Sequence, residues 1–487
     1  MKPQRIFIFY AVILLLLSIL AILIPEQGIG INSDFKLTFL SFPSLISEDT
    51  LNREETVERL LAESTVTDDP EADPKVELFI PAEPVLSPPE PVVPPANVDS
   101  LQGSVYRMIF SSGKPELLHP FFRNLDEVKA GSARRTSILH FGDSQIENDR
   151  MTALIRYRLQ RHFGGTGTGL VQAIPLYSGS MAYEQDEKGE WLRYTYFRNR
   201  DSTIQHNTYG VMAAFASVPS PVEGECPMLH YRFNTSRRGG QFDRIRIFMH
   251  SYVGNASVVF QVNDTIADTL KNISDGFSIA DYRHHAQVND VKVYLDFPEG
   301  GRIYGISFES NSGIHMDNIA MRGSSGLIFS RMNQDLQQSM MNHLSPGLIM
   351  LQFGGNVVPY MDPGYYRRAF KEELQFFKEI CPDVPIIVIG PADMSVREKG
   401  VFKSYPGLEP IRDALKYATL ESGFAFWDLY EAMGGHNSMP SFVHSDPALA
   451  STDYVHFTNL GVNLVAEMFY NALMLEYNKY LNLNRSN

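Results

Sequence analysis

Cysteine is nearly absent from this chain of 487 residues, which has only Cys226 and Cys381. Two thiols are too few for a cysteine-ligated metal site, and their separation in sequence argues against a disulfide. Histidines do not cluster with carboxylates at ligand spacing either, so no metal and no cofactor is expected. Positive charge is short: 42 Lys and Arg stand against 56 Asp and Glu, a formal net charge of −14. Phosphate backbones are bound by cationic surfaces, so nucleic acid is not an expected partner. Long apolar runs are missing as well, with one exception near the start, Ile6 to Ile24, preceded by Lys2 and Arg5 and closed by Pro25. Nineteen residues are about what a helix needs to cross a bilayer core, and no small-x-small cleavage site follows. Residues 1–25 therefore read as a membrane anchor with its positive end inside and the rest of the chain outside the cytoplasm. No cysteine follows the run, so lipid anchoring is not expected.

What is present is ordinary for a folded chain, with 44% hydrophobic and 20% charged residues. The length exceeds what one core usually supports, so two folded domains with appendages are expected. From Glu48 to about Ser100 the composition turns acidic and proline-rich, ending in Pro88-Pro89-Glu90-Pro91-Val92-Val93-Pro94-Pro95. Chain of that kind is extended and cannot bury enough apolar surface to pack. Residues 26–100 read as a linker that lets a membrane-held protein reach a polymer.

Past residue 130 strand and helix patterns alternate. A strand over Thr136 to Phe141 is followed by a helix over Asp149 to His162, with Met151, Leu154, Ile155 and Leu159 on one face. Gly164-Gly165 end that helix. The run Gly164 to Gly169 invites a phosphate-loop reading, but such loops lie between a strand and a following helix, and this one follows a helix. Further on come helices near Ser330 to Asn342 and Pro363 to Ile380, and strands at Gly347 to Gln352 and Val384 to Ile389. A helix over Glu409 to Glu421, a strand over Phe424 to Asp428 and a last helix from Thr458 complete the series. Such repetition predicts an α/β fold with a doubly wound parallel sheet. Between about 179 and 320 the pattern changes to short β-rich stretches such as Gln241 to Met249, Ser257 to Val262, Asp290 to Phe297 and Arg302 to Phe308. An inserted β-sandwich or jelly roll is the economical reading. Its aromatics, among them Trp191, Tyr194, Tyr196, Phe197, Tyr252 and Tyr282, are more often core than ligand in small β-domains.

Three segments carry chemistry. Gly142-Asp143-Ser144 follows the first strand, Gly354-Gly355-Asn356 follows the run Gly347 to Gln352, and Asp453-Tyr454-Val455-His456 precedes the last helix. Acyl transfer needs a serine hydroxyl at a rigid strand end, a histidine to take its proton and a carboxylate to fix that histidine's tautomer. An asparagine amide can hold a developing oxyanion. Ser144 would also lie near a helix N-terminus, whose dipole favours negative charge. Either terminal segment alone also fits an ordinary turn or helix cap, whereas their common order and their positions at strand ends point to a catalytic set. His140, His436 and His444 have no carboxylate at matching spacing.

With these blocks the sequence resembles the SGNH, or GDSL-type, hydrolase family over residues 130–178 and 322–480. A β-domain interrupting such a hydrolase after its first block resembles the bacterial peptidoglycan O-acetylesterases. The segment Asp317 to Gly326 is similar to that group's re-entry into the hydrolase core, and Met433 to Met439 resembles one of its loops. The glycine-rich segment after the first helix also resembles one found in SGNH esterases of cell-wall sugars. The resemblance implies a hydrolase in two parts, 101–178 and 321–487, around an insertion at 179–320, with its catalytic domain in the periplasm and its anchor in the inner membrane. It implies a catalytic set of Ser144, Asp453 and His456, and an oxyanion hole of the Ser144 and Gly323 N–H groups with the Asn356 amide. Gly326 is the alternative to Gly323. The implied substrate is an O-acetylated cell-wall glycan or another acetylated polysaccharide. Two other functions fit the same residues: an O-acetyltransferase working through the same acyl-serine, and a carbohydrate-binding protein without activity. Val357 stands where the family's third block usually has an acidic residue, and Gln145 replaces the leucine of the family's name.

Overall fold

The computed structural model describes residues 107–485 apart from 134, 177–179, 181, 198–199, 222–224, 234–240, 285–287 and 399, together with 29–30, 36–37, 57 and 60. The chain divides into two compact units, 1–58 and 59–487. In the first, Ile29–Gly30 pairs antiparallel with Lys36–Leu37.

The second unit begins with β1 (Ile109–Phe110), α1 (His119–Lys129), β2 (Arg135–Gly142), α2 (Thr152–Phe163) and β3 (Gly169–Val171). Ten strands follow: β4 (Tyr183–Lys188), β5 (Leu192–Thr195), β6 (Ala214–Val218), β7 (Met228–Phe233), β8 (Arg244–Ser251), β9 (Ala256–Val262), β10 (Thr265–Ile273), β11 (Gly276–Arg283), β12 (Asp290–Asp296) and β13 (Gly301–Glu309). The chain then returns through β14 (Gly313–Ala320), α3 (Gln334–Leu344), β15 (Pro346–Gln352), α4 (Pro363–Ile380) and β16 (Ile386–Ile389). A small hairpin, β17 (Ser395–Glu398) with β18 (Val401–Ser404), precedes α5 (Leu408–Glu421), β19 (Ala425–Trp427), α6 (Leu429–Ala432), α7 (Ser438–His444) and α8 (Asn459–Arg485).

The central sheet has the order β14-β2-β15-β16-β19-β1. Its first five strands run parallel, and β1 joins β19 antiparallel. The expected doubly wound parallel sheet is corrected on this point: the sheet is mixed, because a two-residue strand upstream of α1 closes its edge. Two further sheets are antiparallel, in the orders β11-β8-β13-β6-β5, with β3 also paired to β13, and β10-β9-β12-β7-β4. They enclose a core that includes Tyr231, Phe233, Ile245, Ile247, Val258, Phe260 and Phe308.

The expected transmembrane helix and inner-membrane location are likewise not upheld. Among the described residues no helix is long and apolar enough to cross a membrane. The longest, α8, carries Asn463, Glu467, Glu476 and Lys479 along its length. The segment expected to span, 1–25, lies outside the described residues, as does most of the proposed linker.

Local chemistry explains the elements around the site. Every residue of β2 from Thr136 on is buried, as a strand covered on both faces requires. Helix α4 starts where Asp362 accepts the Tyr365 N–H at 2.7 Å with Pro363 in the first turn, and it buries Tyr366, Phe370, Leu374 and Phe377 along one stripe. The glycine-rich run is a close-approach device. At Gly167, with φ of +91°, an added Cβ would meet the Phe308 carbonyl oxygen at 2.3 Å.

The two antiparallel sheets and the layers around the central sheet share apolar packing. One buried cluster joins Tyr209, Phe215, Phe248 and Tyr304 of the inserted region to Leu336, Met340 and Met341 of α3. Burial of each large side chain is worth roughly 1.5–3 kcal/mol. Most of the insertion's aromatics serve this packing: Phe197 is buried and Tyr194 stacks on Phe215, although Tyr252 is exposed.

Candidate active site

Strand β2 lies between β14 and β15, and the register aligns Gly142 with both Ala320 and Gln352. Three loops therefore leave the sheet side by side: Asp143 and Ser144 after β2, Arg322 and Gly323 after β14, and Phe353 to Asn356 after β15. Carboxyl ends of strands are where open α/β sheets bind ligands.

The loop bearing Ser144 is not a helix start. Residues 144–149 form a short turn broken at Glu147 and Asn148, and α2 begins only at Thr152, after positive φ at Asn148, Asp149 and Met151. The expected helix dipole at the serine is therefore replaced by specific contacts. Gln145 donates from Nε2 to the Val455 carbonyl at 2.8 Å, and Arg150 donates to the Phe457 carbonyl at 2.5 Å, so the first and last motif loops are tied to each other.

Across that junction Ser144 Oγ lies 3.0 Å from His456 Nε2, and His456 Nδ1 lies 2.7 Å from Asp453 Oδ2. The other carboxylate oxygen of Asp453 accepts the N–H groups of Val455 at 2.9 Å and His456 at 3.0 Å. Burial pushes the Asp453 carboxyl up, but these donors and the imidazole outweigh it and hold it below the usual carboxylate range. The His456 and Asp453 side chains are 28% and 50% exposed, so water reaches both.

Asn356 faces the same cavity of about 220 Å3 as Ser144 and His456. Its amide nitrogen donates to Asp143 Oδ2 at 2.8 Å and, more weakly, to the Ser324 carbonyl at 3.3 Å. Gly354, at φ of +120°, turns the chain just ahead of it. Asp143 is 4% exposed, and its second oxygen accepts the Gln145 N–H at 3.0 Å. Burial pushes its carboxyl up to about 6, against the opposing pull of the Gln145 N–H, the His456 ring and the Asn356 amide. The turn Met321 to Ser324, closed at 2.9 Å, puts Gly323 at φ of +77°. Gly323 is not among the residues that line this cavity.

The other histidines have partners of their own. Buried His140 bonds Thr152 at 2.9 Å and Gln352 at 3.1 Å, and burial pulls its pKa down to about 4. His444 meets the Tyr454 hydroxyl at 3.1 Å, and His436 lies 3.7 Å from Glu409. In the loop Met433 to Met439, Asn437 exchanges hydrogen bonds with Ser404, bracing the small hairpin. Three contributors escaped the reading of the sequence. Gln145 and Arg150 tie loops whose adjacency the chain order hides. Asp143 was read as a turn residue, yet it also holds the Asn356 amide, a link between residues 213 apart. Among the described residues no group of His, Cys, Asp and Glu is placed to hold a metal.

The fold agrees with the one that the motif blocks resemble. A solved peptidoglycan O-acetylesterase matches with a TM-score of 0.62 at 19% identity, over 74% of this chain and 96% of that one. A family two carbohydrate esterase from Clostridium thermocellum, solved with cellohexaose, covers 59% of this chain and 100% of its own at 11% identity, but its TM-score of 0.24 is too low to support an argument. No protein-family profile matches the chain, and no curated protein matches it. The chain thus has the SGNH, GDSL-type hydrolase fold.

Proposed function

We propose that the protein is a serine esterase that removes O-acetyl groups from a cell-wall glycan. The observation that carries the reading is the continuous line from Ser144 Oγ through His456 to Asp453, at 3.0 and 2.7 Å. Its supports are the shared fold with a peptidoglycan O-acetylesterase and the position of all three side chains beyond the carboxyl end of β2.

Ser144 Oγ attacks the ester carbonyl carbon while its proton passes to His456 Nε2. Asp453 accepts the Nδ1–H, which fixes the tautomer and stabilises the imidazolium. The oxyanion is held by the N–H groups of Ser144 and Gly323 and by the Asn356 amide, which gives up its weaker bond to the Ser324 carbonyl for the purpose. Each such donor is worth about 3 kcal/mol of barrier stabilisation. Collapse breaks the bond from the acyl carbon to the sugar oxygen, and His456 returns the proton to that alkoxide. Water, deprotonated by the same nitrogen, then hydrolyses the acetyl-serine. The exposure of His456 and Asp453 favours water over a sugar hydroxyl as acceptor, and so hydrolysis over acetyl transfer.

The test is acetate release from O-acetylated peptidoglycan and from an aryl acetate, with Ser144→Ala alongside. Release from both substrates that disappears in the variant supports the reading. Turnover of the aryl acetate alone rejects this polymer and leaves the serine chemistry, and silence on both rejects the esterase.

A further inference from the structure

A second, larger cavity of about 410 Å3 opens on the other side of the nucleophile loop, between that loop and the inserted strands. Its floor holds Glu147, three residues beyond Ser144, and Arg322, the residue before Gly323, paired with each other at 3.2 Å. Its far wall is built from the insertion and includes Tyr183 and Arg193.

Most charges around it already have partners. Asp149 is paired with Arg156. At the rim Arg232 bonds Asp186 at 2.6 Å and Glu184 at 3.3 Å, and those two carboxylates are 59% and 79% exposed. Arg193 differs. Its Nε donates to Gln172 Oε1 at 3.1 Å, and its two terminal nitrogens have no partner among the described residues. The side chain is half-buried, and burial pulls its pKa below the ordinary guanidinium value despite the field of Glu147. A desolvated guanidinium with two open donors matches a planar anion that it can hold in a fork.

We propose that this cavity is a glycan subsite in which Arg193 binds a carboxylate carried by the glycan beside the acetyl ester. The subsite shares Glu147, three residues beyond Ser144, and so gains its meaning through the esterase reading, but binding there does not depend on turnover. It makes the inserted strands a wall of the substrate cleft as well as packing for the hydrolase.

The probes are the disaccharide of N-acetylglucosamine and N-acetylmuramic acid, whose lactyl carboxylate is free, and the methyl ester of the same disaccharide. Binding of each to the full chain is measured by calorimetry, with Arg193→Ala and Arg193→Gln in parallel. The acid is expected to bind roughly tenfold tighter than the ester, a preference both variants lose while keeping their affinity for the ester, which shows that they remain folded. Equal binding of acid and ester by the unaltered protein overturns the proposal, and so does an equal weakening of both ligands in the variants. Binding of neither probe by a protein that hydrolyses an aryl acetate overturns the subsite and leaves the esterase. Selective binding without aryl acetate turnover upholds the subsite and overturns the esterase.

Discussion

At the scale of single residues the site is a set of hydrogen bonds whose donors and acceptors have separate tasks. Asn356 must turn one amide hydrogen toward the developing charge, so Asn356→Ala is expected to lower kcat by roughly a hundredfold with little change in KM, checked by steady-state kinetics on an aryl acetate. Asp143 acts one step back by holding that amide. Asp143→Asn presents an N–H to Asn356 in one of its two orientations, and kcat is expected to fall by roughly tenfold or more. The same residue has a signature in stability. Its folded carboxyl titrates near 6, above the ordinary value of 3.8, so the native state binds more protons than the unfolded chain between those limits. Its contribution is therefore fully present below about pH 4 and is lost as pH rises through 6, a swing of roughly 3 kcal/mol. The difference in unfolding free energy between the parent and Asp143→Asn should change across that window. A flat difference would contradict the buried ionised carboxylate.

At the scale of elements, close approaches and strand ends set the geometry. Gly167→Ala adds a Cβ against the Phe308 carbonyl at a backbone angle that alanine resists, and a loss of about 3 kcal/mol or more is expected in denaturant unfolding. A loss under about 1 kcal/mol would mean that the loop moves freely off β13. This is also the scale at which the sequence was most readable. The strand before Ser144 and the helix over 363–380 were legible because full burial and helical spacing leave strong patterns. Helix α1 has that spacing too, in Phe121, Phe122, Leu125 and Val128, but the layout drawn from the sequence begins at 130 and omits it. Strand β1 and the hairpin of β17 with β18 were not legible, because two to four residues are too few to show a period. The late start of α2 was hidden because three residues with positive φ, Asn148, Asp149 and Met151, lie inside an otherwise helical pattern. The blocks bearing Ser144, Asn356 and His456 could be found by order alone. The link from Asp143 to Asn356 could not, since only the parallel pairing of β2 with β15 brings the two together.

At the scale of the whole molecule, the inserted strands and the layers around the central sheet share a core and a buried ion cluster. Glu309 ends β13 and accepts from Ser307 at 2.6 Å and from Arg135 of β2 at 2.7 Å. It also pairs with Arg246 of β8, whose other nitrogen reaches the His343 carbonyl at 2.8 Å. Burial pushes the Glu309 carboxyl up, yet Arg246, His315, Ser307 and Arg135 together hold it down to about 2, from an ordinary 4.5. A depressed carboxyl contributes stability above its unfolded pKa and loses it as pH falls toward the folded one. The parent is thus expected to weaken between about pH 4.5 and 2, and Glu309→Gln to remove that dependence while costing about 3–5 kcal/mol near neutrality. Thermal unfolding across the acid range checks this, and an unchanged acid profile in the variant would place the sensitivity elsewhere.

The central claim is that Ser144 is a nucleophile activated by His456. The most direct measurement is reaction of the full chain with a serine-directed phosphonate, followed by peptide mapping, with His456→Ala in parallel. The account predicts one label, on Ser144, formed far more slowly in the variant. A label on another residue, no label, or equal labelling without His456 would contradict it.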